Sequence, residues 1–250
     1  MMLKNIIRNR LRRFLGLNEF QCLQSAVIDL NSAAELRKVF SWEQQPSLDI
    51  PDLDTVAYLE DANERRLRDA ESIATVMKNA APAIALEIGT AGGQTTALMA
   101  LNAPASQVYT INIPPEEIIA GEGGTFTTIA LEREKIGAYY RERGLQNITQ
   151  ILVNSAKWVP NIGTIDVAFI DGCHDTDFVY NDSKKVLSAM RPGSFILWHD
   201  FNPSLVHQYP WIASVCRGVE QLLAEGLITG RILHVRDSWV GIHQVGKRNA

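Results

Sequence analysis

Two acidic punctuation marks stand in this sequence, each closing a short apolar run: Asp171 with His174 in VAFIDGCH, and His199 with Asp200 in FILWHDF. Upstream lies ALEIGTAGGQTT, a glycine-rich turn after another apolar run. Carboxylates and imidazoles hold divalent cations and move protons, and a glycine turn lets a ligand approach the backbone closely. In an open α/β sheet, ligands bind outside the carboxyl ends of the strands, so these three ends are expected to share one crevice. A cofactor, a metal and a reaction are the chemistry this combination points to.

The elements that must position these residues follow from periodicity. Apolar runs at 84–88, 107–112, 149–153, 165–170 and 194–198 alternate with helical patterns, as in a parallel sheet with crossovers. Runs at 231–236 and 239–245 lie close together around Asp237 and Ser238 and read as a hairpin supplying an antiparallel edge. The expected fold is therefore α/β: a Rossmann-like doubly wound sheet, mostly parallel, with an antiparallel C-terminal edge hairpin and a helical N-terminal arm. Residues 59–80 read as a helix with Leu67, Ile73, Val76 and Met77 among its apolar positions, and the domain is taken as 59–250. Residues 1–58 form the arm. Its first 17 residues place Leu3, Ile7, Leu11 and Phe14 on one face of a basic amphipathic helix. Such a helix could seat on an anionic membrane, a neighbouring subunit or its own domain. Residues 18–58 read as irregular, with short helices. Residues 113–145 exceed a minimal crossover, and the glycines at 121, 123 and 124 offer either a lid or a surface insertion.

Composition narrows the partners. Hydrophobic residues make up 46% and charged ones 21%, which argues against wholesale disorder. Five basic side chains against Glu19 make the first twenty residues +4, leaving −8 for the rest of a chain whose net charge is −4. An acidic body gives no footprint for a phosphate backbone, so a nucleic-acid partner is not expected. Cys22, Cys173 and Cys216 are odd in number and widely spaced, which fits a reducing cytoplasm. No apolar run approaches a membrane span, and no secretory leader is legible.

The glycine turn lacks the GxGxxG spacing of a dinucleotide site, which weakens the case for a nicotinamide cofactor. With IDGCH and LWHDF following in order, the chain resembles the class I S-adenosylmethionine-dependent methyltransferases over about residues 60–245. It is most similar to the metal-dependent small-molecule O-methyltransferases, which include catechol, caffeoyl-CoA and macrolide-sugar enzymes. The resemblance implicates Glu87, Gly89, Thr90, Gly93 and Thr95 in holding the methionine part of the cofactor. Asn112 stands where the family usually has an acid for the ribose hydroxyls, with Glu116 as a compensating acid nearby. Ser155 and Ala156 in LVNSAKW match the adenine-contacting turn. Asp171 is carried over to both the cofactor and the metal, and His199 and Asp200 complete the metal set for magnesium or manganese.

His199 departs from the family, where a carboxylate is usual. Imidazole suits manganese, iron or zinc better than magnesium, and the alternative is that His199 only orients Asp200. His174 leads into the helical pattern from 175, where a ring of ordinary pKa near 6.5 would serve as catalytic base or hydrogen-bond the loop or cofactor. His207, Trp158, Tyr209 and Trp211 are candidate acceptor contacts. The expected reaction is methyl transfer from S-adenosylmethionine to a hydroxyl of a sugar, catechol or polyhydroxylated natural product. A metal-independent methyltransferase, a non-catalytic binding protein and, more weakly, a nicotinamide oxidoreductase are the competing readings. A small-molecule acceptor and a second copy of the chain are the expected partners.

Overall fold

The computed structural model describes residues 19–48, 60–119 and 130–246. The amphipathic helix expected over residues 1–17 and the glycines at 121, 123 and 124 lie outside that set. Among the described residues eight strands form one sheet: β1 (Val27–Leu30), β2 (Ile84–Ile88), β3 (Gln107–Asn112), β4 (Ile148–Leu152), β5 (Ile165–Ile170), β6 (Met190–Trp198), β7 (Ile232–Val235) and β8 (Gly241–Gln244). Their spatial order is β1-β7-β8-β6-β5-β2-β3-β4. From β2 the chain winds first through β3 to β4, then returns to β5 on the other side of β2 and continues to β6. That reversal is a topological switch point, and it opens a crevice between the carboxyl ends of β2 and β5.

β2 and β5 read as near-continuous apolar runs because helices cover both of their faces. On one side lie α1 (Gln21–Ala26), α7 (Thr176–Ser188) and α8 (Pro210–Ala224), with a core built on Leu23, Val186, Val215 and Val219. On the other lie α2 (Ala33–Phe40), α3 (Glu60–Ala80) and α4 (Gln94–Asn102), with Leu36, Val76, Met77 and Met99 fully buried. α2 starts where Ser32 caps the Glu35 N–H and stops at Ser41, which turns left-handed at φ 55°. Between Asp69 and Met77 nearly every residue of α3 is buried. Leu67, expected on the apolar face, is 40% exposed because it precedes this covered stretch.

The C-terminal pair is antiparallel as its spacing predicted, with β8 inserted between β6 and β7. β1 corrects the reading of residues 18–58 as irregular, since it runs parallel to β7 and extends the sheet beyond the hairpin. Its signal is faint for a physical reason: of four residues only Leu30 is buried, so no two-residue alternation is visible. Among the described residues, the segment read as lid or insertion carries two short helices, α5 (Pro115–Ile119) and α6 (Ala138–Glu142). From Gly137 onward it packs on the glycine turn, with Gly137 N–H donating to Ala91 O and Tyr139 N–H to Gly92 O.

Candidate active site

Three strand ends are stitched together by backbone hydrogen bonds. Gly89 N–H donates to Ile111 O, Asp171 N–H to Ile88 O and His199 N–H to Ile170 O, at 2.8 to 3.0 Å. Gly89 adopts φ 111°, and a Cβ there would lie 2.0 Å from the Asp171 carbonyl oxygen, so only glycine allows this approach. The expected convergence of the three motifs is what the structure shows.

Beside them opens a cavity of about 180 Å³. Of the residues implicated by resemblance, Gly89, Asn112, Ser155 and Asp171 line it, and His174 stands at its wall. Asn112 also ties two loops together, accepting from Ala91 N–H at 3.1 Å and donating to Ile113 O at 2.9 Å. Glu87, Thr90, Gly93, Thr95 and Ala156 are not in the lining. Glu87 points away and accepts from the Thr96 and Thr110 hydroxyls. Its burial pushes the carboxyl up to about 8, so it stays neutral near pH 7. Thr90 is 2.7 Å from Thr110 Oγ1, Gly93 caps α4 at φ 92°, and Thr95 sits in that helix's first turn. Ala156 shapes the turn after β4, its N–H held by Asn154 Oδ1 and its carbonyl by Lys185 Nζ. Glu116, the suggested compensating acid, pairs with Arg133 at the surface.

The acids and imidazoles crowd together at the carboxyl ends of β5 and β6. One ligand atom from each of Asp171, His174 and Asp200 lies within 4.8 Å of the other two. His174 Nε2 is 3.1 Å from Asp200 Oδ2 and 3.6 Å from Asp171 Oδ1. These are charge contacts only, because neither ring nitrogen has a hydrogen-bond partner. His199 Nδ1 is 3.0 Å from Asp171 Oδ1 and 3.7 Å from Asp200 Oδ2. Burial alone would raise the Asp171 and Asp200 carboxyls, but the imidazoles, His199 foremost, hold both below the usual carboxylate range. Burial likewise opposes charging the two rings, and the paired carboxylates outweigh it, raising His174 and taking His199 well above its ordinary value.

Sequence reasoning missed Asp69, which reaches the site from α3: its Oδ2 is 3.3 Å from His199 Nε2, and its Oδ1 accepts the Trp239 N–H at 2.6 Å. Within ERRLRDAES it looks like one more helix-surface charge. Asn154 and Phe178, also in the cavity wall, were missed although Asn154 adjoins the nominated Ser155. The acceptor candidates are dispersed. His207 is exposed, Trp158 is buried with its Nε1 unpartnered, and Tyr209 packs at a tilt against Trp211 and Trp239.

Residues 86–201 match the model of a family described as methyltransferase domain. No curated protein matches the sequence significantly. Among solved structures, similarity extends to the O-methyltransferase TomG from Streptomyces achromogenes in complex with SAM, with TM-score 0.51 and 17% identity over 86% of this chain and 88% of that one. An SAH-bound methyltransferase from Podospora anserina gives TM-score 0.53 and 17% identity over 89% and 98%. An O-methyltransferase from Bacillus cereus in complex with SAH gives 0.51 and 16% over 86% and 89%. Identities this low speak for a shared fold.

Proposed function

We propose that the chain, whose residues 86–201 match a methyltransferase domain, uses S-adenosylmethionine to methylate a hydroxyl of a small molecule held at a divalent cation. The observation that carries the finer reading is the meeting of Asp171, His174 and Asp200 from separate strand ends beside the cavity built on the glycine turn, with His199 Nδ1 3.0 Å from Asp171 Oδ1. The donor set suits such an ion: oxygen ligands from Asp171 and Asp200, and an imidazole nitrogen of His199 3.0 Å from Asp171 Oδ1. When bound, S-adenosylmethionine supplies an electrophilic methyl group, and the cation supplies the positive charge that makes a hydroxyl acidic.

The chain's own residues do the rest. Gly89, Asn112 and Ser155 present backbone and polar atoms to the cofactor along one wall. Asp171 and Asp200 would hold the ion beside that wall. His174, whose proton affinity the carboxylates raise, takes the hydroxyl proton. Alignment of oxygen and methyl carbon contributes the remainder. A hydroxyl beside a second oxygen, as in a catechol, a sugar diol or a polyhydroxylated natural product, would chelate such an ion best. Cys22, Cys173 and Cys216 form no disulfide, and among the described residues no helix is long and apolar enough to cross a membrane.

Labelled methyl transfer tests the reading. With S-adenosylmethionine and magnesium or manganese, the purified protein should methylate members of a diol panel, and EDTA should abolish the activity. Cofactor binding without transfer to any diol would overturn it. One observation favours a second reading, a metal-independent enzyme: two protonated imidazoles would by themselves balance the two carboxylates. Activity undiminished by EDTA selects that one.

A further inference from the structure

The two imidazoles beside the carboxylate pair have different surroundings. His199 Nε2 faces Asp69 Oδ2 at 3.3 Å. The same carboxylate takes Arg65 Nη1 at 2.7 Å and the Trp239 N–H at 2.6 Å, and the Arg65 guanidinium lies 4.2 Å over the Trp239 ring. Asp69 is therefore a salt-bridged acceptor, 6% exposed and held from three directions. A carboxylate paired with a guanidinium accepts rather than donates, so His199 Nε2 carries a hydrogen. Nδ1 is the ring atom left facing Asp171 and Asp200. A lone pair 3.0 Å from a carboxylate oxygen is repelled unless a proton or a cation lies between them.

His174 has nothing comparable. Its Nδ1 is buried with no hydrogen-bond partner, and its Nε2 faces the two carboxylates of the cluster itself, 3.1 Å from Asp200 Oδ2 and 3.6 Å from Asp171 Oδ1. Orientation by an outer carboxylate is how metal-ligating histidines are held, whereas a ring with no outer carboxylate on its second nitrogen suits acid–base work.

Resting on the metal-dependent reading above, we propose that Asp69 is a positioning residue that presents His199 Nδ1 as the cation's nitrogen ligand, alongside Asp171 and Asp200. His174 is left for proton transfer. A mixed nitrogen and oxygen donor set takes a divalent transition ion such as manganese in preference to magnesium.

Manganese binding to the full, metal-stripped chain tests this without turnover, by following free manganese with electron paramagnetic resonance in the presence and absence of competing magnesium. Wild type should bind manganese more tightly than magnesium. Asp69→Asn and His199→Asn should each weaken manganese binding about 10–100-fold, while His174→Gln should change it by less than about threefold. His199→Asn should also abolish the preference over magnesium. The double variant Asp69→Asn/His199→Asn should bind no more weakly than His199→Asn, because Asp69 acts through that ring.

Losses that add in full, or a loss in His174→Gln without one in His199→Asn, would overturn the proposal and leave the metal-dependent reading standing. If Asp69→Asn fails to fold, His199→Asn decides alone, and an unchanged manganese preference overturns the assignment. A wild-type chain that binds neither ion removes the metal reading itself, and this inference with it.

Discussion

At Gly89 a hydrogen stands where any other residue would drive a carbon into the Asp171 carbonyl, 2.0 Å away. Gly89→Ala should therefore push β2 and β5 apart at their carboxyl ends. The expected loss is several kcal/mol of stability, together with S-adenosylmethionine binding, as read by chemical denaturation and calorimetry. His174→Gln tests a different link, because the ring is placed for proton transfer rather than for packing. It should lower kcat about 10²–10⁴-fold with little change in cofactor affinity, and a variant that keeps wild-type kcat would remove His174 from the chemistry. Gly89, Asp171 and Asp200 were legible in the sequence because each directly follows or closely punctuates an apolar run, and strand ends are where such folds place ligands. Asp69 was not, since a carboxylate among the charges of α3 gives no sign that tertiary packing will bring it to His199. The partners of Glu87 were not legible for a related reason: membership of the glycine motif does not reveal which sheet face a strand residue takes, and its carboxyl accepts from Thr96 and Thr110.

Among the elements, α1 has no side-chain cap of its own at Phe20. Its first N–H groups are taken instead by Glu220 of α8, whose two oxygens accept from Cys22 at 3.1 Å and Leu23 at 2.8 Å. Glu220→Ala should cost about 1–3 kcal/mol and preferentially raise hydrogen exchange in residues 21–26, with the strand-end cluster unaffected. Uniform exchange across the chain would contradict this local role. The strands β2 to β8 announced themselves as apolar runs bounded by turns, whereas β1 did not, having one buried residue in four. A short edge strand draws its stability from the partner it joins, and the partner's address is not written in its own pattern.

For the whole molecule, Glu87 is a buried titratable group set well inside the sheet. Its ordinary value is 4.5 and burial lifts it to about 8, so between those limits the folded chain keeps a proton that the unfolded chain has lost. Stability must then fall as pH rises through that window. Relative to wild type, Glu87→Gln should gain melting temperature progressively from about pH 5 to about pH 8. A constant difference across that range would show that the carboxyl does not titrate as its surroundings dictate.

The pairing of β1 with β7 joins residues such as Asp29 and His234, 205 positions apart in sequence. A chain emerging from the ribosome can assemble β2 to β5 from neighbouring segments, yet its earliest strand must wait until almost everything else has been synthesised. Translation therefore imposes a timetable in which the outer border of the sheet is sealed last. Nascent chains halted before residue 232 should leave Val27–Leu30 open to protease while the centre already resists digestion.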